Sequence, residues 1–265
     1  MRYLIRSLWA VVVLECAAVV ACGADFKTLD TELMPGAPAE LLQAVADVNG
    51  GDAKNGAAVI AKLAREGNAN AAFGIGYCYQ TGKGVQASVV DAEKWYRIAA
   101  EAEHLGGRLA LGMLVLSRSG GSTDMADEGI AWIKKAADGG QVDAQLQLGR
   151  FYANGIGVVK DPQMGRAWLT MASGAGSAEA AFELGQIAEK GDEGSEPDGK
   201  QALSHYLKAA EGGSVRAMMY LGQGYSFGGE AVEQDLNEAL KWYQKAADGG
   251  TAEAMFKAGQ LYEVG

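Results

Sequence analysis

Few residues in this chain could do chemistry, and their neighbours argue against it. Gly194-Ser195-Glu196-Pro197-Asp198-Gly199-Lys200-Gln201 has the G-x4-G-K skeleton of a phosphate-binding loop. Such a loop needs Ser or Thr after the Lys to ligate magnesium, and a preceding strand. Here Gln201 follows, and Glu196 and Asp198 would repel phosphate oxygens. The two histidines, His104 and His205, have no Cys, Asp or Glu at catalytic or metal-ligand spacing. His104 is read as the end of a helix, where a partial positive charge suits the dipole. Asp192, Glu193, Glu196 and Asp198 would attract calcium only weakly and read as a solvated turn. There is no HExxH and no SxxK. The pattern predicts no catalytic residue, no metal site and no cofactor.

Three cysteines, Cys16, Cys22 and Cys78, are too few for a disulfide framework or a zinc cluster. Cys78 falls on an apolar helix column with Leu114, Phe151, Ile187 and Leu261, the place of a small buried hydrophobe. A net charge of −10 and a pI near 4.8 argue against binding nucleic-acid phosphates. Thirty-eight glycines beside four prolines exclude collagen and disordered linkers, so glycine must serve turns and close packing.

The elements behind these residues repeat. KAADGG occurs at Lys135–Gly140 and again at Lys245–Gly250, 110 residues on. A glycine column runs through Gly76, Gly112, Gly149, Gly185, Gly222 and Gly259, at spacings of 36 or 37. A second column holds Trp95, Trp132, Trp168, His205 and Trp242, with the same period. Fixed self-similarity over 20–50 residues marks a solenoid. Each repeat reads as two helices. The first carries A-x4-G-x2-Y, as in Ala144, Gly149 and Tyr152, and ends in a turn such as Gly155-Ile156-Gly157-Val158. The second begins near an Asp that can cap it, Asp161 (before Pro162) or Asp235, and closes on Ala-Ala-Asp-Gly-Gly. Glycine inside a helix costs about 1 kcal/mol relative to Ala. Tolerating it at one column implies close helix approach, and the Trp-Tyr pairs Trp95-Tyr96 and Trp242-Tyr243 are expected to lie over the small-residue groove.

Leu148-Gly149-x2-Tyr152-x2-Gly155-x-Gly157-Val158, with Asp161, Trp168 and an Ala-rich helix end, resembles the Sel-one-like repeat. That resemblance covers roughly Ala39 to Gly265. It implies an all-α, right-handed α-solenoid of stacked helix pairs with 36–37-residue repeats, and the work of an adaptor or scaffold. Some secreted, cysteine-rich members of the family are linked to β-lactam binding or hydrolysis. This chain lacks their paired cysteines and any nucleophile motif. Repeat four departs from the pattern, with Ala188 for Tyr, His205 for Trp and an acidic turn, so looser packing is expected there.

The predicted organisation begins with an export signal over residues 1–24: Arg2 and Arg6, an apolar run from Leu8 to Ala21, then small residues. Val19-Val20-Ala21-Cys22 resembles a bacterial lipobox that would lipidate Cys22; a cut after Ala24 would instead release soluble protein. Residues 25–37 read as a flexible tether and 38–70 as a degenerate first helix pair. Residues 71–265 hold five full repeats and the first helix of a sixth, whose Met255, Phe256, Leu261, Tyr262 and Val264 repeat the core columns and are expected to associate with further chain. By the resemblance, first helices line a concave groove facing a protein or peptide partner. The groove residues expected are Tyr77, Gln147, Arg150, Asn154, Glu183, Gln186, Tyr220, Gln223, Phe227, Lys257 and Gln260. The reading as a whole is a non-enzymatic interaction scaffold of the bacterial cell envelope, periplasmic or lipid-anchored.

Overall fold

The computed structural model describes residues 37–192, 196–229 and 231–264. The expected export signal, the expected tether up to residue 36 and the candidate lipidation site Cys22 lie outside the described residues. Among those described there are thirteen helices: α1 (Ala39–Gly50), α2 (Ala53–Arg65), α3 (Ala69–Thr81), α4 (Val89–Glu101), α5 (Leu105–Arg118), α6 (Thr123–Asp138), α7 (Val142–Asn154), α8 (Pro162–Gly174), α9 (Ala178–Lys190), α10 (Gly199–Glu211), α11 (Val215–Phe227), α12 (Leu236–Asp248) and α13 (Ala252–Val264). The architecture is all-α, helix pairs repeating about every 36 residues. It divides into two compact units. One runs to Ala144 and includes Ile156–Val158; the other comprises Gln145–Gly155 and the chain from Val159 onward.

The helix starts follow the capping chemistry of the sequence. Ser88, Ser122, Asp161, Asp198 and Asp235 each accept a backbone N–H at the head of a second helix. Asp161 Oδ1 takes the Met164 amide at 2.9 Å, with Pro162 in the first turn, as expected. First helices have their own cap column of Asn68, His104, Gln141, Ser177 and Ser214. His104 therefore starts α5 instead of ending α4. Its Nδ1 accepts the Gly107 amide at 2.9 Å, where a positive charge would oppose the dipole rather than suit it.

Glycine sets the spacing of the helices. A Cβ added at Gly76, Gly185 or Gly222 would stand 2.6–2.7 Å from the ring of Tyr96, Tyr206 or Tyr243. At Gly149 it would meet Leu169 at 2.7 Å, and at Gly112 the Gly129 carbonyl oxygen at 2.6 Å. Close approach is thus the reason for the column from Gly76 to Gly222, Gly259 having open space instead, but the residue that fills it is not tryptophan. The filler is the next residue along: Tyr96, Ile133, Leu169, Tyr206 or Tyr243. Adjacent residues on a helix point about 100° apart, so only one of each pair can face the glycine. Trp132 and Trp242 instead lie under the ammonium groups of Lys135 and Lys245, 4.0 and 4.2 Å from the ring centroids. In repeat four, His205 replaces a residue that is not the filler. Tyr206 closes that seam, and Phe182, Ala188 and Tyr206 are all buried there.

The G-x-G turn has a packing reason at its second glycine. Gly84 has φ 74°, and a Cβ on it would overlap the Ala53 carbonyl at 2.0 Å, so this turn lies against the start of α2.

Candidate interaction surface

The groove residues predicted from first-helix spacing do not form an evenly solvated face. In the first unit Tyr77 is 9% exposed, and Met113, its counterpart one repeat on, is 2% exposed. Gln147, in the second unit, is 5% exposed. These positions, expected to face a groove, are closed off from solvent, whereas the same column on α11 stays exposed. Tyr77 also carries the Lys83 ammonium, 5.3 Å from its ring centroid.

The second unit holds the rest of the set, and three of its members are engaged with one another's helices. Arg150 on α7 donates from Nε to Glu183 at 2.6 Å and from Nη2 to Glu179 at 3.3 Å, both on α9. Arg216 on α11 donates to the same Glu179 at 2.6 Å and lies over the Phe182 ring, 4.5 Å from its centroid. Burial raises the Glu183 carboxyl, although Arg150 acts to lower it. Glu189 on α9 accepts the hydroxyls of Tyr206, at 3.0 Å, and Tyr220. Those two rings lie 4.4 Å apart, with Phe182 at 5.4 Å from Tyr206 and 6.4 Å from Tyr220. Burial, followed by the Glu189 carboxylate, pushes the Tyr220 phenol up to about 12 and raises Tyr206 as well. The network is a lateral brace that links α7, α9, α10 and α11.

Tyr220, a member of that network, shares one face of α11 with Gln223 and Phe227 at i, i+3 and i+7, exposed to solvent, Phe227 to 76%. Gln186, Gln223 and Gln260 occupy the same repeat position on α9, α11 and α13, half-buried at Gln186 and exposed at the other two. Asn154 is exposed and bonds back to the Arg150 carbonyl at 2.9 Å, and Lys257 is half-buried. The arrangement offers amide donors and acceptors on the same solvent-facing column as an exposed aromatic ring.

The other sequence candidates resolve into structural roles. Cys78 is fully buried, and desolvation pushes its thiol up to about 12, away from reactivity. Asp198 caps α10, and Asp192 pairs with Arg166 at 3.3 Å; Glu193, Gly194 and Ser195 lie outside the described residues. No group of three metal-binding side chains occurs among the described residues, and no described helix is long and apolar enough to cross a membrane. One motif escaped the sequence reading. Gly224-Tyr225-Ser226-Phe227-Gly228 has G-x-S-x-G spacing. A nucleophile elbow needs a strand-to-helix turn, whereas Ser226 sits in the last turn of α11 and donates to the Gly222 carbonyl at 2.7 Å.

Comparison with known proteins agrees with the geometry. The family model of the Sel1 repeat matches residues 69–104, 108–141, 142–177, 178–214, 215–251 and 252–265. The crystal structure of a Sel1 repeat protein from Oxalobacter formigenes is 31% identical, with a TM-score of 0.72 over 84% of this chain and 89% of that one. Immunity protein Pa5087 from Pseudomonas aeruginosa is 23% identical, with a TM-score of 0.52 over 90% of this chain and 86% of that one. Immunity protein PA5088 from the same organism is 19% identical, at 0.57 over 91% and 86%. The last two likenesses are of fold alone. With six matched repeats on a period already visible in its glycines, this chain belongs to the Sel1 repeat family.

Proposed function

We propose that this protein is a non-enzymatic scaffold of the bacterial cell envelope whose second unit binds an extended segment of a protein partner. Sel1 repeat proteins are in general protein-interaction scaffolds. The finer reading is carried by the exposed strip Tyr220–Gln223–Phe227, set on the α7–α9–α11 brace and flanked by Gln186 and Gln260. A braced surface loses little conformational entropy on binding, and a Phe has few rotamers to immobilise. Export rests on the order of charged, apolar and small residues at the N-terminus, with Cys22 as lipid anchor or Ala24 as cleavage site. Association through α13 belongs to the same reading, since Met255, Phe256 and Tyr262 are exposed there.

A photo-crosslinker at position 227 of the full-length protein tests the surface. It should capture a discrete partner from envelope extract, and Gln223→Ala should weaken that capture. Equal capture from a crosslinker at exposed Glu211 would remove the case for this face. Fractionation with and without Cys22→Ser tests the anchor, and light scattering against concentration tests α13 association.

A further inference from the structure

The turn joining α4 to α5 departs from its counterparts at two adjacent positions. Before each other first helix from α3 onward the chain passes through a glycine in the left-handed region: Gly67, Gly140, Gly176, Gly213 and Gly250, at φ 83–99°. Here Glu103 takes that place at φ 63°, a conformation in which a Cβ is strained. The next residue is the cap. Asn68, Gln141, Ser177 and Ser214 cap with amide or hydroxyl oxygens, which do not titrate, whereas His104 caps with a ring nitrogen.

Because Nδ1 accepts the Gly107 amide, the imidazole proton must sit on Nε2. Nε2 is buried without a protein partner, and the ring stacks on Phe73 of α3, with centroids 4.9 Å apart and planes at 23°. A second proton would go to Nδ1, removing the acceptor and placing a cation at the positive end of the α5 dipole. Nothing nearby compensates. Glu101 and Glu103 are exposed, and Glu103 accepts from Arg108 at 3.3 Å. Arg108 also donates to the Ala100 carbonyl at 3.3 Å, and α3 presents the uncharged Phe73 ring.

We propose that this turn is an acid-released hinge, in which protonation of His104 uncaps α5 and lets α4 and α5 separate. Burial alone lowers the His104 imidazole from 6.5 to about 4 in the folded chain. The folded state therefore holds fewer protons than the unfolded one between those values. The cap's contribution is complete above about pH 6.5 and is lost progressively as pH falls toward 4. In the other first helices with a side-chain cap the capping group does not titrate, so among the first helices this response belongs to α5.

Amide exchange at Gly107 and Arg108 in the full chain, corrected for intrinsic rates, reads the opening directly. The wild-type opening constant should rise by up to about tenfold for each pH unit below 6.5. His104→Asn, which can cap as Asn68 does, should be flat over that range. Glu103→Gly should lower opening by the same factor at every pH, leaving the slope intact. An NMR titration of the wild-type imidazole supplies a readout that needs no variant, and its midpoint should fall near 4. A midpoint near 6.5, or an unchanged slope in His104→Asn, overturns the proposal.

Discussion

The helix pairs close in two different ways. In α3/α4, α9/α10 and α11/α12 a tyrosine lies on the glycine of the first helix, and the residue four before it is alanine: Ala92 and Tyr96, Ala202 and Tyr206, Ala239 and Tyr243. In α5/α6 and α7/α8 an aliphatic residue takes that place, and the residue four before it is glycine: Gly129 and Ile133, Gly165 and Leu169; α1/α2 shares the pattern in its second helix, Gly56 and Ile60, with Ala44 where the other first helices carry glycine. The second kind brings backbone to backbone. A Cβ on Gly56, Gly129 or Gly165 would stand 2.4, 2.8 or 2.9 Å from the carbonyl oxygen of Ala44, Gly112 or Gly149.

The smaller filler draws the helices together until carbonyls intervene, and only glycine tolerates that distance. The larger ring holds them apart, which leaves room for an alanine methyl. The tyrosine also brings a hydroxyl that needs a partner. Tyr96 donates to Gln80 at 2.6 Å and Tyr206 to Glu189 at 3.0 Å, each acceptor four residues beyond the glycine. At that position the aliphatic seams carry Val48, Leu116 and Ala153. Filler, spacer and acceptor vary together because one volume and one hydrogen bond must be satisfied jointly.

The sharpest break of this comparison is Gly129→Val. A β-branched side chain meeting backbone that cannot move should cost about 3 kcal/mol or more in urea denaturation. A cost below about 1 kcal/mol would mean the helices are not in backbone contact. Alanine substitutions should then fall in order. Gly112→Ala, facing a carbonyl, should be worse than Gly185→Ala, facing a ring that can shift. Gly259→Ala has nothing within 4 Å and should gain up to about 1 kcal/mol from helix propensity. Thermal melts of the three check the order.

Converting one class into the other is subtler. Gly165→Ala combined with Leu169→Tyr should be less damaging than the sum of the single changes, with a coupling of roughly 0.5–3 kcal/mol in a double-mutant cycle. Strict additivity would show that filler and spacer are independent. The smallest effect expected is from Tyr206→Phe, which removes one hydroxyl from Glu189 and should cost about 1 kcal/mol. Because Tyr220 still donates to that carboxylate, a larger loss would mean that the brace depends on both phenols.

Much of this was legible in the residues. The glycine column could be read because a mid-helix glycine is costly and has to be repaid by packing. The Asp caps were legible because they act within three residues. His104 shares its register with Asn68, Gln141, Ser177 and Ser214, so its capping role was also visible there; reading it as a helix end overlooked that column. Of the proposed surface, periodicity picked out Tyr220, Gln223 and Phe227 as one face. It missed the burial of Tyr77, Met113 and Gln147, which depends on how far neighbouring helices reach across.

The sequence by itself determined the repeat, the helix boundaries and the columns that must pack, because those follow from short-range sterics, capping and the 3.6-residue turn. Only the tertiary structure decided which of two adjacent aromatics faces the glycine, since both are apolar and only the interhelical distance separates them. It also decided that Arg150, Glu183 and Tyr220 brace neighbouring helices, because an ion pair across some 30 residues of chain exists only once stacking sets the side chains side by side.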